Sequence, residues 1–106
     1  MTDFKDNRYH IECDPDQLQT WELMEIEKLS INSICLVLCR YVANGSGAVD
    51  TDLPDKKPIR RMSQKEKDAL MDAKGYMWLE ELGVNQLRSI AKTFMEGIEE
   101  IGEKKA

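Results

Sequence analysis

Ser30-Ile31-Asn32-Ser33-Ile34-Cys35-Leu36-Val37-Leu38-Cys39-Arg40-Tyr41-Val42 contains the longest apolar run of the chain. Ile31, Ile34, Cys35, Leu38, Tyr41 and Val42 recur at three-to-four-residue spacing, the period of one helix face, and Leu36 and Val37 widen the apolar arc. Such a helix is covered on most sides by its neighbours. Ser30 belongs to the residue types that cap helix starts, and Asn44-Gly45 supplies the left-handed conformation in which helices often stop. The stretch therefore predicts a buried central helix. Arg40 interrupts it well short of the roughly 18 apolar residues that a membrane span needs.

On the N-terminal side, Tyr9-His10-Ile11-Glu12-Cys13 alternates apolar and polar residues, the period of a half-buried strand. Asp14-Pro15 stops it. Asp14 is suited to cap a helix with Pro15 at its first position and Gln17 closing a capping box, while Thr20 is a competing start just before Trp21. From either start, Trp21 to Leu29 reads as a helix rich in good helix formers, with acids near its beginning and Lys28 near its end.

On the C-terminal side, residues 46–62 form one long irregular stretch holding Gly47, Pro54 and Pro58, and connections of that length are usually functional or mobile. Ser63-Gln64-Lys65-Glu66 is a capping box that opens a third helix through Ala69, Leu70, Met71 and Ala73, which Gly75 ends or interrupts before Tyr76-Met77-Trp78-Leu79. Leu87, Ile90, Ala91, Phe94, Ile98 and Ile101 then fall on one stripe of a closing helix, and residues 102–106 are expected to fray. These elements predict one mainly α domain over residues 1–106: a small bundle of about four helices with, at most, a short N-terminal strand and one long loop.

The net charge of −5 is unevenly distributed. Residues 1–55 carry 11 acids against 4 bases, residues 56–74 carry 3 against 7, and residues 75–106 carry 6 against 4. An acidic chain with a single basic segment would repel nucleic acid phosphates over most of its surface, so a protein partner fits it better. Cys13, Cys35 and Cys39 make an odd count, which suits reduced thiols, and Met1 to Asp6 lack the basic start and apolar core of a secretory signal. Both features lead us to expect a cytoplasmic protein.

His10, Cys13, Cys35 and Cys39 are the four candidate zinc ligands, because a His-x-x-Cys turn facing a Cys-x-x-x-Cys helical pair could close a tetrahedral site. Their apolar setting favours core cysteines, so no metal or cofactor is expected. The chain shows no nucleophile elbow, P-loop or dinucleotide-binding glycine pattern, and its single histidine gives little to build a catalytic centre from. A non-enzymatic role follows. Lys56, Lys57, Arg60 and Arg61 form the basic run, which lacks the interleaved aromatics of a base-stacking surface and reads either as a solvated loop or as a contact for an acidic partner. Trp21, Tyr76, Met77 and Trp78 suit a contact surface and the core equally.

Asp14-Pro15-Asp16-Gln17-Leu18-Gln19-Thr20-Trp21-Glu22-Leu23, then Glu27-Lys28, the apolar helix into Tyr41-Val42, and Leu87 to Ile101 resemble the tail assembly chaperones of tailed bacteriophages. The resemblance spans about two-thirds of the chain and rests on patterns of helix starts; the basic run at 56–61 and the Tyr76–Trp78 segment lie outside it. It implies a helical protein that coats apolar helical segments of the tail-length-determining protein and is absent from the finished tail. The expected mode is a partner helix received in an apolar groove, with Trp21, Met24, Trp78 and Phe94 contributing and the 56–61 loop orienting it. An inhibitor docking on a host protein and a self-associating structural subunit are the alternatives.

Overall fold

The computed structural model describes the backbone of residues 2–105 and the side chains of residues 4–96. Its architecture is α+β. Four short strands, β1 (Thr2–Lys5), β2 (His10–Cys13), β3 (Val42–Asn44) and β4 (Gly47–Ala48), form an antiparallel sheet in chain order. Around it lie α1 (Thr20–Glu27), α2 (Ile31–Leu38), α3 (Gln64–Met71), α4 (Lys74–Glu81) and α5 (Val84–Lys105). The expectation of a mainly α bundle of about four helices is therefore corrected.

The correction originates in the apolar run itself. The run is helical only to Leu38; Cys39–Tyr41 is a 3-10 turn, and Val42–Asn44 is strand β3. Asn44-Gly45 does not end a helix but leads into a two-residue hairpin, where Asn44 pairs with Gly47 and the Asn44 side chain accepts from the Ser46 N–H at 2.8 Å. Asn44 is itself a strand residue, Gly45-Ser46 make the loop, and Val42 is buried on the sheet rather than on a continued helix. β2 is the strand read from the alternation at Tyr9–Cys13. Ile11 and Cys13 are buried while Glu12 is exposed, and Ile11 pairs with Val42.

The helices follow local chemistry more closely. Asp14 caps a 3-10 turn, Pro15–Gln17, by accepting from the Asp16 N–H at 3.0 Å, and α1 begins separately at Thr20 with Glu22 accepting from the Gln19 N–H at 2.8 Å. Ser63 and Glu66 exchange both capping-box hydrogen bonds at the start of α3. α4 is a separate helix, capped from a distance: both Asp50 carboxylate oxygens accept backbone N–H groups, from Lys74 at 3.0 Å and Gly75 at 2.8 Å.

α2 lies at the centre, with Ile34 to Leu38 all buried, and packs against α1, α3, α4 and α5. Ile26, Leu70, Trp78, Leu79, Leu87, Ile90 and Phe94 close the core from the surrounding helices, and Ile11 and Val42 close it from the sheet. Ile98, Ile101 and residues 102–106, the far end of the α5 stripe and the segment expected to fray, lie outside the described side chains.

The N-terminal hairpin is fastened to α4 through the side chains of Asp6, Arg8 and Tyr9. Asp6 accepts from the N–H groups of Arg8 at 2.7 Å and Tyr9 at 3.1 Å, shaping the β1–β2 turn, and its other oxygen accepts from the Trp78 indole N–H at 2.7 Å. Tyr9 meets Trp78 edge to face, with 6.1 Å between ring centroids, and Arg8 pairs with Glu81.

Candidate functional site

The outward face of α1 presents Met24, whose side chain is 59% exposed in a helix otherwise anchored by buried Glu22 and Ile26. Exposing so large an apolar side chain forgoes the free energy of its burial, about 1.5–3 kcal/mol for a residue of this size. Met24 lines an open cleft of about 420 Å³ with Glu25, Glu27, Lys28 and Arg60. Arg60 arrives from the 3-10 turn Ile59–Arg61, whose exposed arginines follow Pro58. The fold thus brings one apolar anchor and one member of the basic run to the same place. The lining combines a flexible thioether with a guanidinium and two carboxylates, and Lys28 is held 3.1 Å from Glu25.

The other sequence-selected anchors lie elsewhere. Phe94 is fully buried and Trp78 is 2% exposed, both inside the core, so Phe94 offers a partner no surface and Trp78 almost none. With Trp78 and Phe94 inside the core, no groove lined by all four of Trp21, Met24, Trp78 and Phe94 is open among the described residues. Trp21 is half-buried, packs against the core, and donates its indole N–H to the Gln19 side-chain oxygen at 2.7 Å.

The basic run is divided by its partners. Lys56 reaches buried Glu22 at 3.0 Å and donates to the Tyr41 hydroxyl oxygen at 2.6 Å, and Lys57 pairs with Glu66 at 2.7 Å. The hydrogen bonds to Tyr41 and Glu22 raise the Lys56 ammonium above its ordinary value although burial opposes them. Burial pushes the Tyr41 phenol up as well. Sequence reading misses this cluster because it groups Glu22 with the helix start and Lys56 with a solvated loop. The available signal is the i, i+4 spacing of Glu22 and Ile26, which puts the carboxylate on the inward face.

Another, smaller cleft of about 160 Å³ is lined by Arg8, Tyr9, Lys74, Met77, Trp78 and Glu81. Met77 is 48% exposed there, which places it on the surface while its neighbours Tyr76 and Trp78 are buried.

Cys13, Cys35 and Cys39 are all buried. Burial is the main cause that pushes the Cys35 and Cys39 thiols up to about 12, which disfavours the thiolate that zinc binding requires. Among the described residues, no group of three or more His, Cys, Asp or Glu side chains is arranged to hold a metal ion. Among the same residues, no helix is long and apolar enough to cross a membrane.

Comparison of the chain with protein-family models, with curated proteins and with solved structures finds no match.

Proposed function

We propose that this chain is a non-enzymatic protein-binding module whose contact surface is the Met24–Arg60 cleft. The observation that carries the reading is the exposure of Met24 beside a guanidinium that makes no ion pair among the described residues. A thioether accommodates varied apolar side chains, and arginine grips carboxylates bidentately; together they suit an amphipathic helix that sets an apolar residue on Met24 and an acid toward Arg60. The specific form of the proposal is a cytoplasmic assembly chaperone of the phage-tail type, shielding an apolar helical segment of its partner. The likeness behind that form treats the apolar segment into Tyr41-Val42 as one helix, so the cleft is the stronger support.

Affinity purification of the tagged protein from its native host, with Met24→Glu and Arg60→Ala/Arg61→Ala alongside, tests the surface. We expect a helical partner retained by the wild type and lost from both variants, with circular dichroism unchanged because all three side chains are exposed. Retention of the same partner by both variants would exclude the cleft. A discrete oligomer with no other protein bound would make the chain a self-associating subunit instead.

A further inference from the structure

Glu22, Tyr41 and Lys56 are arranged as a receptor and its occupant. Glu22 is fully buried on α1; one carboxylate oxygen accepts from the Gln19 N–H at 2.8 Å and lies 3.0 Å from the Lys56 ammonium, and the other accepts from the Tyr41 hydroxyl at 2.8 Å. The Lys56 ammonium also donates to the Tyr41 oxygen at 2.6 Å and stands 5.3 Å from the centre of the Tyr41 ring. A carboxylate and a phenol oxygen converging on one nitrogen supply what a primary ammonium needs: opposite charge and hydrogen-bond acceptors.

The two halves of this arrangement belong to different parts of the molecule. Glu22 and Tyr41 sit on α1 and on the 3-10 turn after α2, both packed against the core. Lys56 is delivered by the irregular segment between β4 and the turn at Ile59–Arg61, between Pro54 and Pro58, and its side chain is still 28% exposed. It therefore enters from the solvent side, as a ligand would. The other polar ties of that segment near Lys56 are single contacts, Arg40 to the Pro54 carbonyl at 3.2 Å and Lys57 to Glu66 at 2.7 Å.

We propose that Glu22 and Tyr41 form a binding site for a primary alkylammonium, in which Lys56 is a tethered and replaceable occupant. The chemistry admits the lysine side chain of another protein or a free alkylamine. The site is separate from the Met24 cleft and does not depend on it.

The test uses Lys56→Ala, which empties the site, and n-butylammonium, which has the four-carbon reach of a lysine side chain. Lys56→Ala melts several degrees below the wild type, and butylammonium restores that loss saturably while n-butanol does not. Binding to the wild type is weaker than to Lys56→Ala, because the tethered lysine competes at its own effective concentration. Glu22→Gln/Lys56→Ala loses the response. An equal response from n-butanol, equal binding to wild type and Lys56→Ala, or persistence in the double variant would each overturn the assignment. If Lys56→Ala does not fold alone, its refolding yield is compared in butylammonium and in n-butanol: a higher yield in butylammonium supports the site, and equal yields overturn it. Restoration by Nα-acetyl-lysine amide as well assigns the site to protein lysines, and restoration by butylammonium alone assigns it to free amines.

Discussion

Gly75 stands so close to Cys39 that a Cβ added to it would come within 2.2 Å of the Cys39 carbonyl oxygen. The first turn of α4 rests on the backbone of the 3-10 turn that follows α2, and the absence of a side chain permits that approach. Intrinsic helix propensity would favour alanine here by about 1 kcal/mol. The clash reverses the sign: Gly75→Ala is expected to cost about 1–3 kcal/mol, as overpacking against unyielding backbone does. Urea denaturation of the two proteins, compared at equal slope, measures it.

Asp50 caps α4 from outside the helix, since Ala73 at the N-cap position has no side chain that can do so. Asp50→Ala should lower stability by about 0.5–2 kcal/mol and accelerate hydrogen exchange at the first amides of α4. Asp50→Asn retains an acceptor and should recover most of the loss. Equal exchange in wild type and Asp50→Ala would show that the cap contributes nothing.

Tyr41→Phe removes the hydroxyl that donates to Glu22 and accepts from Lys56, leaving the ring in place. Glu22 keeps the Gln19 N–H and Lys56, so the expected loss is about 1–2 kcal/mol rather than that of an uncompensated buried charge. Thermal melts of Tyr41→Phe and Glu22→Gln, singly and together, should show less than additive losses, because both act on one network.

Acid should unfold the protein through two carboxylates. The Trp78 indole, followed by the backbone N–H groups of Arg8 and Tyr9, lowers Asp6 from 3.8 to about 2. Lys57, followed by the Ser63 backbone, lowers Glu66 from 4.5 to about 2. Both values lie below those of the unfolded chain, so their stabilisation is complete above about pH 5 and is lost as the pH falls toward 2. Melting temperature should therefore decline across that window. Asp6→Asn and Glu66→Gln should each flatten the decline, and an unchanged slope in both would refute the assignment.

Local chemistry was legible in the sequence where it was self-contained. The Ser63 capping box, the strand at Tyr9–Cys13 and the Leu87–Phe94 stripe each depend on a few neighbouring residues, and each is present in the fold. The sheet was not legible, because β3 and β4 together span only residues 42–48 and β3 pairs with a strand about 30 residues earlier. Tertiary pairing there overrode a helical period that continued to Val42. At the candidate site, exposure decided what composition left open. Trp78 and Phe94 are as apolar as a contact anchor should be, but the core claimed them, whereas Met24 stayed outside.

The fastening of Asp6 to Trp78 and of Arg8 to Glu81 joins residues 72 and 73 positions apart. On a ribosome, the β1–β2 turn is made before its partners and must wait until Trp78 and Glu81 have followed it before it can dock. The hairpin is thus made well before the helix that fastens it, and long-range closures of this kind slow folding relative to neighbouring-helix contacts.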